Sequence, residues 1–386
     1  MIANKRCGRM IEQEPLSPLV AYALAGLKHL WMPDRGRYAA RILFEGDAAR
    51  LADEPIFGAY YTLNVLLGFS HVGLDHFGER AEVERCYRAC CAALLEGRPH
   101  VFMLGMALWS GAACGVEPPG PLVDRVRQIM SSAIAFHRMS AQDAAMTASG
   151  VIALSMQDSS WAPLAHRLAA HLRDRYYSRT QRLFYNQSLG YRRHFSSFAS
   201  QVYPLLALYQ YGEAFGMDWA VRLANEAAEK VIGLQGPEGE WGWFHFVPRG
   251  VVVDFYEVYC VHQHGMAPAF LLHAIEHGVP GAAEALHRGF DWLFGANQMR
   301  QSMLTSPHGL FYRSQVRNGE LTSFAARASR SLTNAALGRP DAPGSHSGLQ
   351  IRRECHSYEL GWILWSFGDR GDYPEITHCS EFVGSP

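Results

Sequence analysis

Apolar residues recur with a period near 3.6 along most of the chain. Between 18 and 32, Leu19, Val20, Leu24, Leu27, Leu30 and Trp31 fall on one helical face, and Pro33-Asp34-Arg35-Gly36 ends the pattern. The same spacing predicts helices over 40–51, 57–69, 79–96, 100–114, 120–137, 141–156 and 160–177. Breaks stand at Glu54-Pro55, Gly97-Arg98-Pro99, Pro118-Pro119-Gly120 and Asp158-Ser159. Arg182 to Asn186 and Tyr191 to His194 read as short extended pieces in a long connection. Helices resume over 197–215, 217–234, 259–277, 280–296 and 355–367. Between them lie two aromatic, glycine-bearing loops, Gln235 to Glu257 and Asn297 to Arg317, and a polar stretch near 338–348 that reads as a mobile or disordered loop.

This pattern gives an all-α chain of about twelve or thirteen helices paired by short breaks. No composition shift marks an interdomain linker, so one domain over 1–386 is expected. An open solenoid needs side-chain signatures at a fixed repeat, and the chain has none. Closure into an (α/α)6 toroid of helical hairpins, with a few short strands in its loops, is the expected architecture. It would set the inner-helix ends and the long loops around one central cavity.

Hydrophobic residues at 48%, charged residues at 18% and a net charge of -1 describe a globular chain with a large core. They argue against an electrostatic nucleic-acid binder, which needs a basic excess to displace phosphate counterions. Of the 35 basic residues only Lys5, Lys28 and Lys230 are lysine. A GC-rich genome accounts for that, although guanidinium groups also suit bidentate contacts to carboxylates such as those of acidic sugars. Met1 to Pro15 has no secretory h-region, and no apolar run is long enough to span a membrane, so a cytoplasmic protein is expected. The eight cysteines lack CxxC spacing and read as thiols; Cys86 and Cys90 share a helical face with Val83 and Leu94.

The run Gly239-Glu240-Trp241-Gly242-Trp243, with Val258-Tyr259-Cys260-Val261-His262-Gln263-His264-Gly265-Met266-Ala267-Pro268, resembles proteins of the six-hairpin glycosidase superfamily, including members associated with bacterial exopolysaccharide synthesis. Asp291-Trp292-Leu293-Phe294-Gly295-Ala296-Asn297 resembles the helix-to-loop passage WxxGxN of the same fold. The resemblance covers roughly residues 180–367, and its motifs are loose. It implies a carbohydrate-active enzyme on an (α/α)6 toroid.

The densest chemistry lies between Gln235 and His264, where Trp241, Trp243, Phe255, Tyr256 and Tyr259 alternate with Glu238, Glu240, Asp254, Glu257, His262 and His264. Sugars have apolar C–H faces and polar edges, so aromatic shelves bordered by carboxylates and imidazoles suit a carbohydrate cleft. An aromatic core beneath a loop would produce the same composition. Glycoside hydrolysis needs two carboxyl groups, one acid and one base or nucleophile. Asp254 and Glu257 stand just before a helix start, where they are candidates for that pair or simply favourable charges at a helix N-terminus. The family-like passage implies His262 as a substrate contact. In Arg353-Glu354-Cys355-His356-Ser357-Tyr358-Glu359, the resemblance suggests Glu359 as a catalytic acid with His356 and Tyr358 bordering substrate. Asp143 opens another helix, as a dipole partner or as a third carboxylate in the cavity. Arg313 suits a uronate carboxylate, or braces its loop.

Cys260, His262, His264, Cys355 and His356 are candidate zinc ligands. Their spacing is loose, and His262 and His264 point to different faces of a helix, so no metal and no cofactor is expected. Isoprenoid cyclisation of the protonating type needs an Asp-x-Asp-Asp acid, which is absent. No phosphate loop, nucleophile elbow or dinucleotide fingerprint occurs. The resulting expectation is a glycoside hydrolase-like enzyme on a bacterial polysaccharide or oligosaccharide. Asp254, Glu257 and Glu359 form its carboxylate set, and Trp241, Trp243, Tyr256, His262, His264, Arg313, His356, Tyr358 and Asp143 contact substrate. The alternatives are a uronate lyase or epimerase using a histidine or tyrosine with Arg313, and a non-catalytic glycan-binding or assembly subunit, with a zinc-dependent or isoprenoid cyclase on a helical toroid as minor ones.

Overall fold

The computed structural model describes residues 16–46, 48–305, 309–319, 324–342 and 348–383. The expectations for Met1 to Pro15, for Cys7 and for part of the 338–348 loop lie outside these residues. The helices are α1 (Pro18–Leu30), α2 (Pro55–Val72), α3 (Arg80–Glu96), α4 (Val101–Cys114), α5 (Gly120–Ser131), α6 (Ala133–Arg138), α7 (Ala141–Ser155) and α8 (Ala162–His171). They continue with α9 (Ala199–Phe215), α10 (Asp218–Ile232), α11 (Ala267–Glu276), α12 (Ala282–Leu293), α13 (Phe324–Leu337), α14 (Ser357–Phe367) and α15 (Pro374–Thr377).

Among the described residues, α2, α4, α7, α9, α11 and α14 form the inner ring. Each packs on the next, and α14 returns to α2 to close it, while α1, α3, α5, α8, α10 and α12 stand outside. The sequence separates the two sets. Helix α10 buries a stripe of Ala220, Leu223, Ala224, Ala227, Ala228 and Val231 and exposes its other face, whereas α4 is buried at nearly every position from Met103 to Cys114. The fold is an (α/α)6 toroid.

Glycines set how closely the inner helices approach. A Cβ on Gly105 of α4 would lie 2.6 Å from the Met146 carbonyl carbon and the Thr147 nitrogen of α7, and one on Gly150 would lie 2.5 Å from the Gly105 oxygen. Gly68 and Gly361 do the same for α2 and α14. Hydrogen at these positions lets the backbones pack in contact, and the ring can then close.

Several predicted elements differ from the structure. Tyr191–His194 is a short helical turn rather than an extended piece, and the 120–137 helix is broken at Ser132 into α5 and α6. The 40–51 segment is not a helix but the antiparallel pair Arg41–Glu45 and Ala48–Ala52. Ile42 and Phe44 are buried while Arg41 and Leu43 are only half-buried, a period of two that the helical reading averaged away. Glu354–His356 adds to the outer side of Arg41–Glu45, joining the end of the chain to its beginning. Helix α13 stands where no helix was predicted. The 259–277 helix opens as a short strand, then a wide turn over His262–Met266, before α11. No helix among the described residues is long and apolar enough to cross a membrane, and their seven cysteines are free, six of them buried.

Candidate active site

The first turns of the inner helices meet at one end of the ring, and two small sheets wall that end. Phe195–Ser197, Phe244–Phe246 and Val251–Asp254 form one. Val258–Tyr259, Ser314–Arg317 and Leu349–Arg352 form the other. In the second, the Cys260 N–H donates to the Arg313 carbonyl (2.9 Å) and the Arg313 N–H to the Arg352 carbonyl (3.1 Å). Three chain segments far apart in sequence are thus stitched together at Arg313.

Arg313 is the hub. Its Nη1 donates to the Tyr358 hydroxyl (3.1 Å) and to Glu359 Oε1, both on the first turn of α14. Its Nε lies 3.9 Å from Glu354 Oε1, and its guanidinium sits over the ring of Tyr259, 4.7 Å from the centroid. Glu354 also pairs with Arg352 (3.0 Å) and with His356 Nε2 (3.0 Å). Arg352 continues to Glu257 (3.3 Å), which accepts from the Tyr259 hydroxyl (3.0 Å) and from the Ser314 hydroxyl. One network therefore holds Glu257, Glu354 and Glu359 with Arg313 and Arg352.

The three carboxylates are not equivalent. Glu359 has a side-chain exposure of 0%. Burial lifts its carboxyl to about 7 in spite of Arg313 beside it. Burial also pushes Glu354 up, but the hydrogen bond from His356 and the charges of Arg352 and Arg313 outweigh it and bring the group to about 2. Burial, reinforced by Arg313, pushes the His356 ring down to about 3. The imidazole is thus neutral, its Nε2–H donates to Glu354, and its Nδ1 faces the Tyr61 hydroxyl at 3.4 Å.

Aromatic rings surround this network. Tyr61 of α2 stacks on Tyr358 with centroids 4.5 Å apart. Trp243 lies parallel to His262 and packs against Tyr259, with centroids 5.0 Å apart in the second contact. Its backbone is held by hydrogen bonds to Phe198 and Phe255. Tyr61, Trp243, Tyr259, Tyr358, Arg313 and Arg352 are half-buried.

The other predicted residues fall elsewhere. The two tryptophans part at Gly242: Trp241 turns inward, 2% exposed, against Phe198 and Phe270, so only Trp243 offers a face to the rim. His262 lies beneath Trp243 and Tyr259 and is 2% exposed; burial holds its ring well below the ordinary range. His264 is fully buried against Phe311 and is pushed down to about 3 by burial. Asp143 is a cap. Its Oδ2 accepts from the Ser140 N–H and hydroxyl, and its Oδ1 from the Phe102 N–H, which ties α7 to the start of α4. Asp254 belongs to a neighbouring cluster with Arg317 (3.1 Å), Arg327 (3.7 Å) and Arg330 (3.8 Å). Tyr256 is buried beside that cluster under the Arg317 guanidinium. Burial pushes the Cys260 and Cys355 thiols up.

Glu354, Arg352, Tyr61 and Ser314 were not predicted as site residues. Glu354 lies in the segment before the last inner helix, but its ion pair with Arg313 comes from a part of the chain remote in sequence. Tyr61 carries the signal of any apolar residue on an inner helix.

No protein-family model matches the chain, and no curated protein does. Solved structures match over nearly its full length. Cellobiose 2-epimerase from Bacillus thermoamylovorans superposes with a TM-score of 0.61 at 12% identity, covering 92% of this chain and 97% of that one. The chain has the fold of the (α/α)6 glycosidase superfamily. An inactive variant of the α-1,6-mannanase GH76A of Salegentibacter, in complex with α-1,6-mannotriose, gives 0.56 at 9% identity over 91% of this chain and 98% of that one. A glycosyl hydrolase family 88 protein from Bacteroides vulgatus gives 0.52 at 10% identity over 92% and 99%. At these identities the likeness to the superfamily is one of fold.

Proposed function

We propose that this protein is a carbohydrate-active enzyme, glycoside hydrolase-like, acting on a bacterial polysaccharide or oligosaccharide at the Arg313 end of the ring. The observation that carries the reading is Glu359. Its carboxyl, lifted to about 7, is protonated in about half of the molecules at neutral pH, and Arg313 donates both to it and to the Tyr358 hydroxyl. A general acid needs that proton to give to a leaving glycosidic oxygen. Glu257, accepting from Tyr259, Ser314 and Arg352, is the second carboxylate of the pair. Reaching the glycosidic oxygen from a side chain with no exposure requires Arg313 and Tyr358 to shift as the sugar seats on Tyr61, Tyr259 and Trp243. If the reaction inverts, the working separation of the two carboxyl groups is roughly 6.5–9.5 Å. The three superposed proteins, by the names they carry, act on saccharides.

A uronate epimerase or lyase is the second reading, and the Arg313–Tyr358 contact favours it. There the phenol would exchange a proton at the carbon next to a carboxylate held by Arg313 or Arg352. Incubating the full chain with neutral and uronate-containing bacterial polysaccharides separates the two. Products heavier by one water per cleavage, absent with Glu359→Gln, support hydrolysis. Unsaturated products absorbing in the near ultraviolet, or isotope exchange from solvent into an uncleaved sugar, support the second reading. Binding without any of these outcomes sinks both.

A further inference from the structure

The opposite end of the ring carries a second constellation. Helix α11 ends in His273-Ala274-Ile275-Glu276-His277, a spacing that puts both imidazoles and the carboxylate on one face, turned toward Glu213 of α9. Glu213 Oε1 lies 2.8 Å from His273 Nδ1 and 3.0 Å from His277 Nε2. Ligand atoms of Glu213, His273 and Glu276 all fall within 4.8 Å of one another.

The imidazoles are oriented rather than merely near. Both rings lie parallel to Tyr209, at interplanar angles of 11° and 4°, with centroids 5.4 and 5.5 Å away. The Tyr209 hydroxyl is itself fixed by Asn225 (2.8 Å). Glu276 is held by Arg370 (2.8 Å). Beside the cluster opens a cavity of about 600 Å³, whose lining includes His71, Trp109, Gln210, His273, Trp365 and Arg370. An ion there would have protein ligands on one side and room for water or a small ligand on the other.

We propose that Glu213, His273 and Glu276 bind a divalent transition metal of the zinc type, with His277 as a further imidazole on the shared carboxylate. Mixed imidazole and carboxylate donors suit zinc, whereas magnesium prefers an all-oxygen shell. Three protein ligands leave one position open toward the cavity. The ion would tie α9 to its neighbour α11 in the inner ring, away from the Arg313 network, so its presence is independent of the reaction proposed there.

The test is calorimetric titration of the chelator-stripped full-length protein with zinc chloride, alongside thermal melts with and without zinc. The expected result is one ion per chain and a raised Tm, with affinity at least tenfold weaker in Glu213→Gln and His273→Gln. His287→Ala, which removes an exposed imidazole paired with Glu375, should bind as the parent does. Metal-free melts of each variant check that it still folds, and cobalt substitution gives a visible spectrum that reports the ligand set in the folded parent. The proposal is overturned by an absence of one-to-one binding, by unchanged affinity in both glutamine variants, or by magnesium binding as well as zinc.

Discussion

Arg313 and Glu359 form a buried pair in which the acid is the partner raised toward neutrality. The arginine comes from a loop between two strands, the glutamate from the first turn of the last inner helix. Positive charge and the helix N-terminus both favour the carboxylate, yet removal from water outweighs them and leaves the carboxyl at about 7.

That balance predicts a pH dependence of stability. Between 4.5 and about 7 the folded chain keeps a proton on Glu359 that the unfolded chain has released. The contribution is therefore full below 4.5, declines as pH rises to about 7 and is absent above. Its span is on the order of 3 kcal/mol. His356 acts oppositely, because its ring is depressed from 6.5 to about 3 and its contribution is lost as pH falls through that range. Thermal melts of Glu359→Gln against the parent isolate the first effect. The variant should gain relative to the parent as pH rises from 4.5 to 7, and parallel curves would contradict the raised carboxyl.

Arg313→Ala should destabilise the fold by about 3–5 kcal/mol, since it strips a buried network of its central cation. Arg313→Lys should recover part of the loss, because an ammonium keeps the charge without the planar fork that lies over Tyr259. Urea denaturation measures both. An alanine variant within about 0.5 kcal/mol of the parent would mean that the pair holds nothing together.

The two tryptophans should separate binding from folding. Trp243→Ala is expected to weaken saccharide binding about two- to tenfold with little change in Tm, through loss of a stacking face. Trp241→Ala should cost about 3–5 kcal/mol of stability through a core cavity. Isothermal titration with an oligosaccharide, paired with melting curves, reads each effect, and a reversed pattern would refute the assignment.

Gly105→Ala places a methyl 2.6 Å from the backbone of α7. Helices in backbone contact cannot yield as a flexible side chain would, so a loss of about 1–3 kcal/mol is expected. Gly120→Ala, with open space at its Cβ position, serves as the comparison in the same melts.

The amino-acid sequence by itself determined the helical hairpins, the buried thiols of α3 and the aromatic belt from which Trp243 and Tyr259 come. Each of these is written in local spacing, which helical periodicity makes visible one turn at a time. Tertiary structure decided what spacing cannot carry. Arg41–Glu45 pairs along its whole length with its neighbour Ala48–Ala52, but only the folded chain brings Glu354–His356 to its other edge, and Ser357 bonds to Ala39 across 318 positions of chain. That pairing presents Glu354 and His356 to Arg313, while the divergence at Gly242 sends Trp241 to the core and Trp243 to the rim. Asp143 and Glu359 both stand on the first turn of an inner helix, yet one caps its helix and the other is buried beside an arginine. Position in sequence makes Glu359 a candidate acid and Asp143 a helix-dipole partner or a third cavity carboxylate, and desolvation with the partners brought by remote strands decides what each does.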